Sequence, residues 1–148
     1  MQYTTLEQLQ GSMPLQKIIE CCDDYGAGVL DDAAQANLEA ANTAAVSEIH
    51  LRCRGLYSVP FDPVPAEIAY LATELTKVHL YLRRTGEDVP ESITALHKRL
   101  GDQLKGISEN TFRIDAGSQD DVASAQGPRV SATMQRFPQG FTGSLLDH

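Results

Sequence analysis

The sequence predicts an all-α fold: a small bundle of about four to five helices with a long irregular C-terminal arm. Three observations carry this. Apolar residues recur at i, i+3, i+4 and i+7 in successive segments up to about residue 106. Hydrophobic residues make up 42% of the 148, with no tryptophan and many alanines, which suits close-packed helices better than a sandwich rich in aromatic and β-branched side chains. From about Ser108 the helical period disappears and Gly, Ser, Gln and Asp take over. The expected division is therefore a helical domain over 1–107 and an extended arm over 108–148.

The helices follow in chain order. Leu6 opens a short first helix, with Thr4 or Thr5 as its cap and Gly11-Ser12 as its end. Pro14 begins a second, Leu15 to Cys22, whose Leu15, Ile18, Ile19 and Cys22 share one face. "DDYGAG" (Asp23 to Gly28) is a turn. Asp31 or Asp32 then caps a long helix running to Arg54, roughly 33 Å at 1.5 Å per residue. Its apolar stripe is Ala34, Leu38, Ala41, Ala45, Ile49 and Arg52/Cys53. A long helix with so thin an apolar face is expected to find a second contact, often in another subunit.

"RGLYSVPFDPVP", Arg54 to Pro65, separates this helix from the next. Gly55 suits the left-handed position that ends a helix. Tyr57, Val59 and Phe61 alternate, so they point to one face. Pro60, Pro63 and Pro65 forbid helix through the segment and stiffen it. Tyr57, Val59 and Phe61 are expected to plug the open end of the bundle; the alternative is an exposed hot spot for a neighbouring molecule. A core helix then runs from Pro65 to Arg84 with Ile68, Leu71, Ala72, Leu75, Val78, His79 and Leu82 on one stripe, and Thr85-Gly86 stop it. Asp88 is the expected cap of the last helix, whose face is Ile93, Leu96, Leu100 and Leu104 and whose end is Gly106.

The arm holds Phe112, Ile114, Met134, Arg136, Phe137, Phe141, Leu145 and Leu146 as spaced anchors. A segment built only for reach would not need them, so the expectation is an arm that is disordered alone and ordered by a partner.

Charge narrows the function. Twenty acidic and twelve basic residues leave a net charge of −8, a poor match to a phosphate backbone. The pairs Arg52/Arg54 and Arg83/Arg84 fall near helix C-termini, where cations complement the dipole; two pairs do not make a basic stripe. No apolar run reaches the length of a membrane span, the N-terminus lacks the pattern of a signal peptide, and three cysteines, two of them adjacent, fit free thiols in a reducing compartment.

Reactive constellations are not apparent. His50 and Cys53, with Cys21 and Cys22 elsewhere, do not follow a zinc-finger spacing. Asp23, Asp24, Asp31 and Asp32 lack the order of a calcium loop and are explained as turn and cap residues. His79 and His97 fall on helix faces as packing residues. No nucleophile elbow, phosphate-binding loop or HExxH is present. The expectation is a protein that is not an enzyme, with no cofactor and no metal.

One stretch, "AVSEIHLRCRGLYSVPFDPVPAEIAYLATELTKVHLYLRR" from Ala45 to Arg84, resembles the Mu-like phage family of head–tail adaptor (neck) proteins. The resemblance rests on Tyr3, Thr5 and Leu9 near the N-terminus, a helix end with Ile49 and Arg54, the Tyr57-Ser58-Val59-Pro60 corner, Ile68-Ala69-Tyr70-Leu71, and a closing Arg136-Phe137 with Gly140-Phe141. Residue 50 departs from the pattern in being His. The resemblance implies a structural virion protein, made in the host cytoplasm and built into the neck. It would form a homo-oligomeric ring beneath the portal protein and meet a tail-side neck or terminator protein. DNA would pass through without sequence-specific binding, and an acidic wall would not hold it back. The competing reading is a small helical nucleic-acid-binding or regulatory protein.

Overall fold

The computed structural model describes residues 3–84 and 88–115. Five helices occupy them: α1 Leu6–Ser12, α2 Leu15–Cys22, α3 Asp32–Cys53, α4 Ala66–Leu82 and α5 Glu91–Ser108. The all-α expectation holds among the described residues.

α4 is the axis, packing against each of the other four helices. Residues 71–76 are all buried, so the middle of this helix is enclosed around its whole circumference, while Tyr70 and Leu82 towards its ends are exposed. Two apolar clusters meet on it. The larger joins the C-terminal half of α3, the corner, α4 and α5 through Ile49, Phe61, Leu75 and Leu100. The smaller joins α1, α2 and the N-terminal half of α3 through Leu9, Ile18 and Leu38, with Leu80 of α4 closing it. Complete burial of one such aliphatic side chain stabilises the fold by roughly 2 kcal/mol before entropy.

The caps explain most boundaries. Thr5 accepts the Gln8 N–H while the Gln8 side chain accepts the Thr5 N–H, a reciprocal box at the start of α1. Asp31 accepts the Ala34 N–H at 2.8 Å and starts α3. Prolines 14, 65 and 90 occupy the N-cap positions of α2, α4 and α5. Asp88 therefore does not cap α5: Pro90 stands at the boundary instead, its carbonyl accepting the Ile93 and Thr94 N–H groups.

Four further expectations are corrected. Gly55 does not take a left-handed conformation; α3 unwinds through a turn in which the Leu56 and Tyr57 N–H groups both reach the Cys53 carbonyl. Gly106 does not end α5. It lies buried inside the helix, and the ring of Phe112 fills the space a Cβ would take. The stop is Asn110, at φ +59°, with the Thr111 N–H bonded to the Gly106 carbonyl and the Asn110 N–H to the Ile107 carbonyl, the paired closure of a Schellman end. On α2 the buried face is Ile18, Cys21 and Cys22, and Leu15 is 42% exposed. On α4, Leu82, the last residue of the helix, is 41% exposed. The expected stop at Thr85-Gly86 lies outside the described residues.

Candidate functional site

The corner between α3 and α4 is tied to both the N-terminal residues and the segment after α5. Tyr57 and Phe61 enter the larger cluster and Val59 packs at its edge; Pro60 and Pro63 are exposed and Pro65 is half-buried. The peptide bonds preceding Pro60 and Pro63 are cis. Tyr3 completes the plug, its ring 6.0 Å from that of Phe61, which in turn lies 6.1 Å from that of Tyr57. The Phe61 N–H donates to Tyr3 Oη at 2.8 Å. Tyr3 Oη also lies 2.6 Å from His50 Nε2, a hydrogen bond whose direction follows the His50 tautomer. Burial first, and then the Arg54 charge, hold the His50 pKa below its ordinary value, which keeps the ring neutral.

Ile114, expected in the partner-binding arm, belongs to the same plug. Its side chain is buried in the larger cluster and its N–H donates to Tyr57 Oη at 2.9 Å. Phe112 lies over Gly106 with half of its surface open. Packing into the bundle accordingly continues through Ile114, beyond the boundary at 107 that the loss of helical period suggested. Met134, Arg136, Phe137, Phe141, Leu145 and Leu146 lie outside the described residues.

Polar side chains inside the bundle were not legible as such. Glu74 and Lys77 pair at 2.9 Å on α4. Ser12, at the end of α1, donates to Glu74 and accepts from Lys77, the latter at 2.8 Å. A serine nucleophile needs a base free to take its proton. Here the hydroxyl hydrogen is directed to a carboxylate that is itself paired with the ammonium, so this trio braces α1 to α4. Thr4 and Thr73 are 2.6 Å apart, and Asn42 donates to Thr76 at 3.3 Å.

A second polar system binds the end of α2. Arg83 donates to the Cys21 carbonyl at 2.6 Å and grips both carboxylate oxygens of Asp24 at 3.0 and 2.7 Å, which holds the Asp24 pKa low. Asn37 reaches the Cys22 carbonyl at 2.8 Å, and Arg84 reaches that of Glu20. The arginine pair thus serves the C-terminus of α2 as well as that of its own helix. Asp23 accepts the N–H groups of Tyr25, Gly26 and Gly28 at 2.7 to 3.0 Å; the Gly28 bond is the largest cause of its lowered pKa.

The thiols are packed. Cys21, Cys22 and Cys53 are all buried, and desolvation pushes Cys22 and Cys53 up to about 11. His50 and Cys53 belong to the larger cluster's surroundings while Cys21 and Cys22 belong to the smaller. Among the described residues no three His, Cys, Asp or Glu side chains converge to hold a metal ion, and no helix is long and apolar enough to cross a membrane.

The remaining concavities are open. One is a groove of about 520 Å³ between the start of α4 and the end of α5, walled by Tyr70, Leu71, Ile107, Phe112 and Ile114 together with Glu67, Gln103 and Arg113. Exposed large apolar side chains stand elsewhere: Leu51 on the outer face of α3, and Tyr25 and Val29 on the loop between α2 and α3.

Comparison with known proteins places these features. The profile of the family described as "Bacteriophage Mu, Gp36" matches residues 3–132. No curated protein matches the chain.

Proposed function

The chain belongs to the bacteriophage Mu Gp36 family, and from that premise we propose that it is a structural virion protein, a head–tail connector that joins the portal to the tail of a tailed phage or prophage. In this reading it is not an enzyme. It assembles into a homo-oligomeric ring in the neck, meets the portal protein on one side and a tail-side neck or terminator protein on the other, and lets DNA pass without reading it.

The observation that carries the reading is the reach of the family match, which takes in the whole described bundle and continues to residue 132. Two features support it. A connector works by contact, and the polar groups Ser12, Glu74, Lys77 and Arg83 are spent on bracing helices to one another. The outer face of α3 also carries Ala36, Ala40, Thr43, Ser47 and Leu51, all exposed and uncharged, as a lateral subunit face requires.

The test is complementation. A phage lacking this gene should accumulate filled heads and free tails that remain separate. Supplying the full chain should join them, and supplying 1–116 should show whether the bundle suffices. Normal particles from the deletion strain would overturn the reading.

A further inference from the structure

α3 has two uncharged faces. Its inward stripe is buried, and its outward face carries Ala33, Ala36, Ala40, Thr43, Ser47 and Leu51, all exposed. A helix face that meets only water ordinarily carries charges. Here the exposed charges stand at the two ends, Asp32 at the start and Arg52 and Arg54 at the finish. Glu48 is turned aside, to His79 of α4 at 3.3 Å.

Two features of this face complement each other. Leu51 projects from it, 69% exposed, a large apolar side chain that the bundle does not use. Beside the middle of the helix lies an open cleft of about 310 Å³, with Ala40, Ala41 and Ala44 on one wall and His79 and Leu82 of α4 on the other. Leu82 is itself 41% exposed. Leu51 and Ala40 are separated by about 16 Å along the helix axis, so the projection and the cleft cannot meet within one copy.

The helical period fixes how they meet between copies. At 3.6 residues per turn, Leu51, Ala40, Ala44 and the cleft fall to one side of the outward line through Ser47, and Arg54, Asp32 and Glu39 fall to the other. A second copy laid antiparallel about a two-fold axis sets each side opposite its like. Each Leu51 then enters the cleft of the other copy, and each Arg54 comes level with the interval between Asp32 and Glu39 of the other copy. Arg54 uses Nε on the His50 carbonyl and has no carboxylate partner among the described residues. A parallel pair would instead set Asp32 against Asp32 and Arg54 against Arg54. Shape and charge therefore select one occupant, this same chain reversed.

We propose that the free chain pairs with a second copy through the outer faces of α3, antiparallel about a two-fold axis, with Leu51 of each copy in the Ala40–Ala44–Leu82 cleft of the other and Arg54 against Asp32 and Glu39. The contact is isologous and closes on itself. Its footprint is a single helix face, which places it among weak, reversible contacts. It goes beyond the connector reading and does not depend on it. Where that reading holds, the pair withholds the lateral α3 face from ring formation until it is displaced.

Sedimentation equilibrium of the full-length chain tests it. Monomer and dimer should exchange, with dimer dominant as the concentration nears about a millimolar. Leu51→Glu and Arg54→Glu should each weaken the dimer at least about tenfold and leave the helical circular dichroism unchanged, because both side chains are exposed. Glu39→Arg combined with Arg54→Glu should restore the pairing that Arg54→Glu alone weakens, a rescue that a merely structural role for either residue would not give. The three native thiols are buried, so an added cysteine reports alone. Ser47→Cys, near the two-fold axis, should link to itself with a short bismaleimide. Ala33→Cys, whose two copies lie roughly 37 Å apart in this pair, should not. A chain that stays monomeric to about a millimolar overturns the proposal, as does a dimer indifferent to Leu51→Glu, or self-linking by Ala33→Cys in place of Ser47→Cys. All of these readouts are made on the isolated chain, so either this contact or the connector reading can fail without the other.

Discussion

Tyr3 Oη and His50 Nε2 lie 2.6 Å apart, and the same hydroxyl accepts the Phe61 N–H. One side chain thus joins the N-terminal residues, the end of α3 and the corner. Tyr3→Phe keeps the ring and removes the acceptor, stranding a buried N–H. The expected loss is about 2 kcal/mol, read from urea midpoints against the wild-type chain.

The same pair predicts a pH dependence. The His50 pKa is lowered in the folded chain from an ordinary value of 6.5. Between the lowered value and 6.5 the unfolded chain binds more protons, so stability rises with pH there. The contribution is complete above 6.5 and is lost as pH falls through the lowered folded value. Urea midpoints should drop between pH 7.5 and pH 5, and His50→Gln, which cannot take a proton, should show a smaller drop.

Two glycines of α5 should respond in opposite ways to alanine. A Cβ at Gly101 meets nothing within 4 Å, so Gly101→Ala should stabilise by about 1 kcal/mol through helix propensity alone. A Cβ at Gly106 falls 2.3 Å from Cδ2 of Phe112, so Gly106→Ala should forfeit that gain. Combined with Phe112→Ala it should recover most of it, a coupling that a double-mutant cycle of thermal midpoints measures.

Glu74 and Lys77 are mostly covered, at 12% and 15% side-chain exposure. Glu74→Gln leaves the ammonium facing a neutral amide and breaks the charge-assisted bond from Ser12. A loss of roughly 2 kcal/mol is expected. The paired change Glu74→Leu/Lys77→Leu should cost less than Glu74→Gln, because no charge is left stranded.

Buried thiols with pKa pushed up to about 11 at Cys22 and Cys53 should be nearly inert. Iodoacetamide at pH 7.5 should label none of the three cysteines over the time in which it labels all of them in urea. Rapid labelling of the native chain would show that the core opens locally.

Elements with a strong local signal were legible in the chain. The stripe Ala34, Leu38, Ala41, Ala45 and Ile49 is buried as its spacing predicts, ending on buried Cys53 while Arg52 beside it is exposed, and Ile93, Leu96, Leu100 and Leu104 are buried likewise. What was misread depended on tertiary neighbours. Gly106 looked like a stop because glycine commonly ends helices, but here the ring of Phe112, six residues further along the chain, fills the space of its missing side chain. Ile114 looked like part of an arm because helical period had ceased, whereas its burial comes from Tyr57, 57 residues away. Thr73, Glu74 and Thr76 are buried on α4 because polar partners arrive from α1 and α3, and periodicity cannot signal that. Tyr25 was hidden in a turn motif: glycines and aspartates announce a loop and say nothing of what its tip presents.

Ile114 and Tyr57 also set where mechanical load enters the bundle. Tension applied to the chain beyond Asp115 would first meet the Ile114 side chain and its amide bond to Tyr57, and would pass from there into the proline-rich bend and the two helices flanking it, α3 and α4. A pull at that point is therefore resisted by shear across the hydrophobic interior, not by peeling of a single terminal turn.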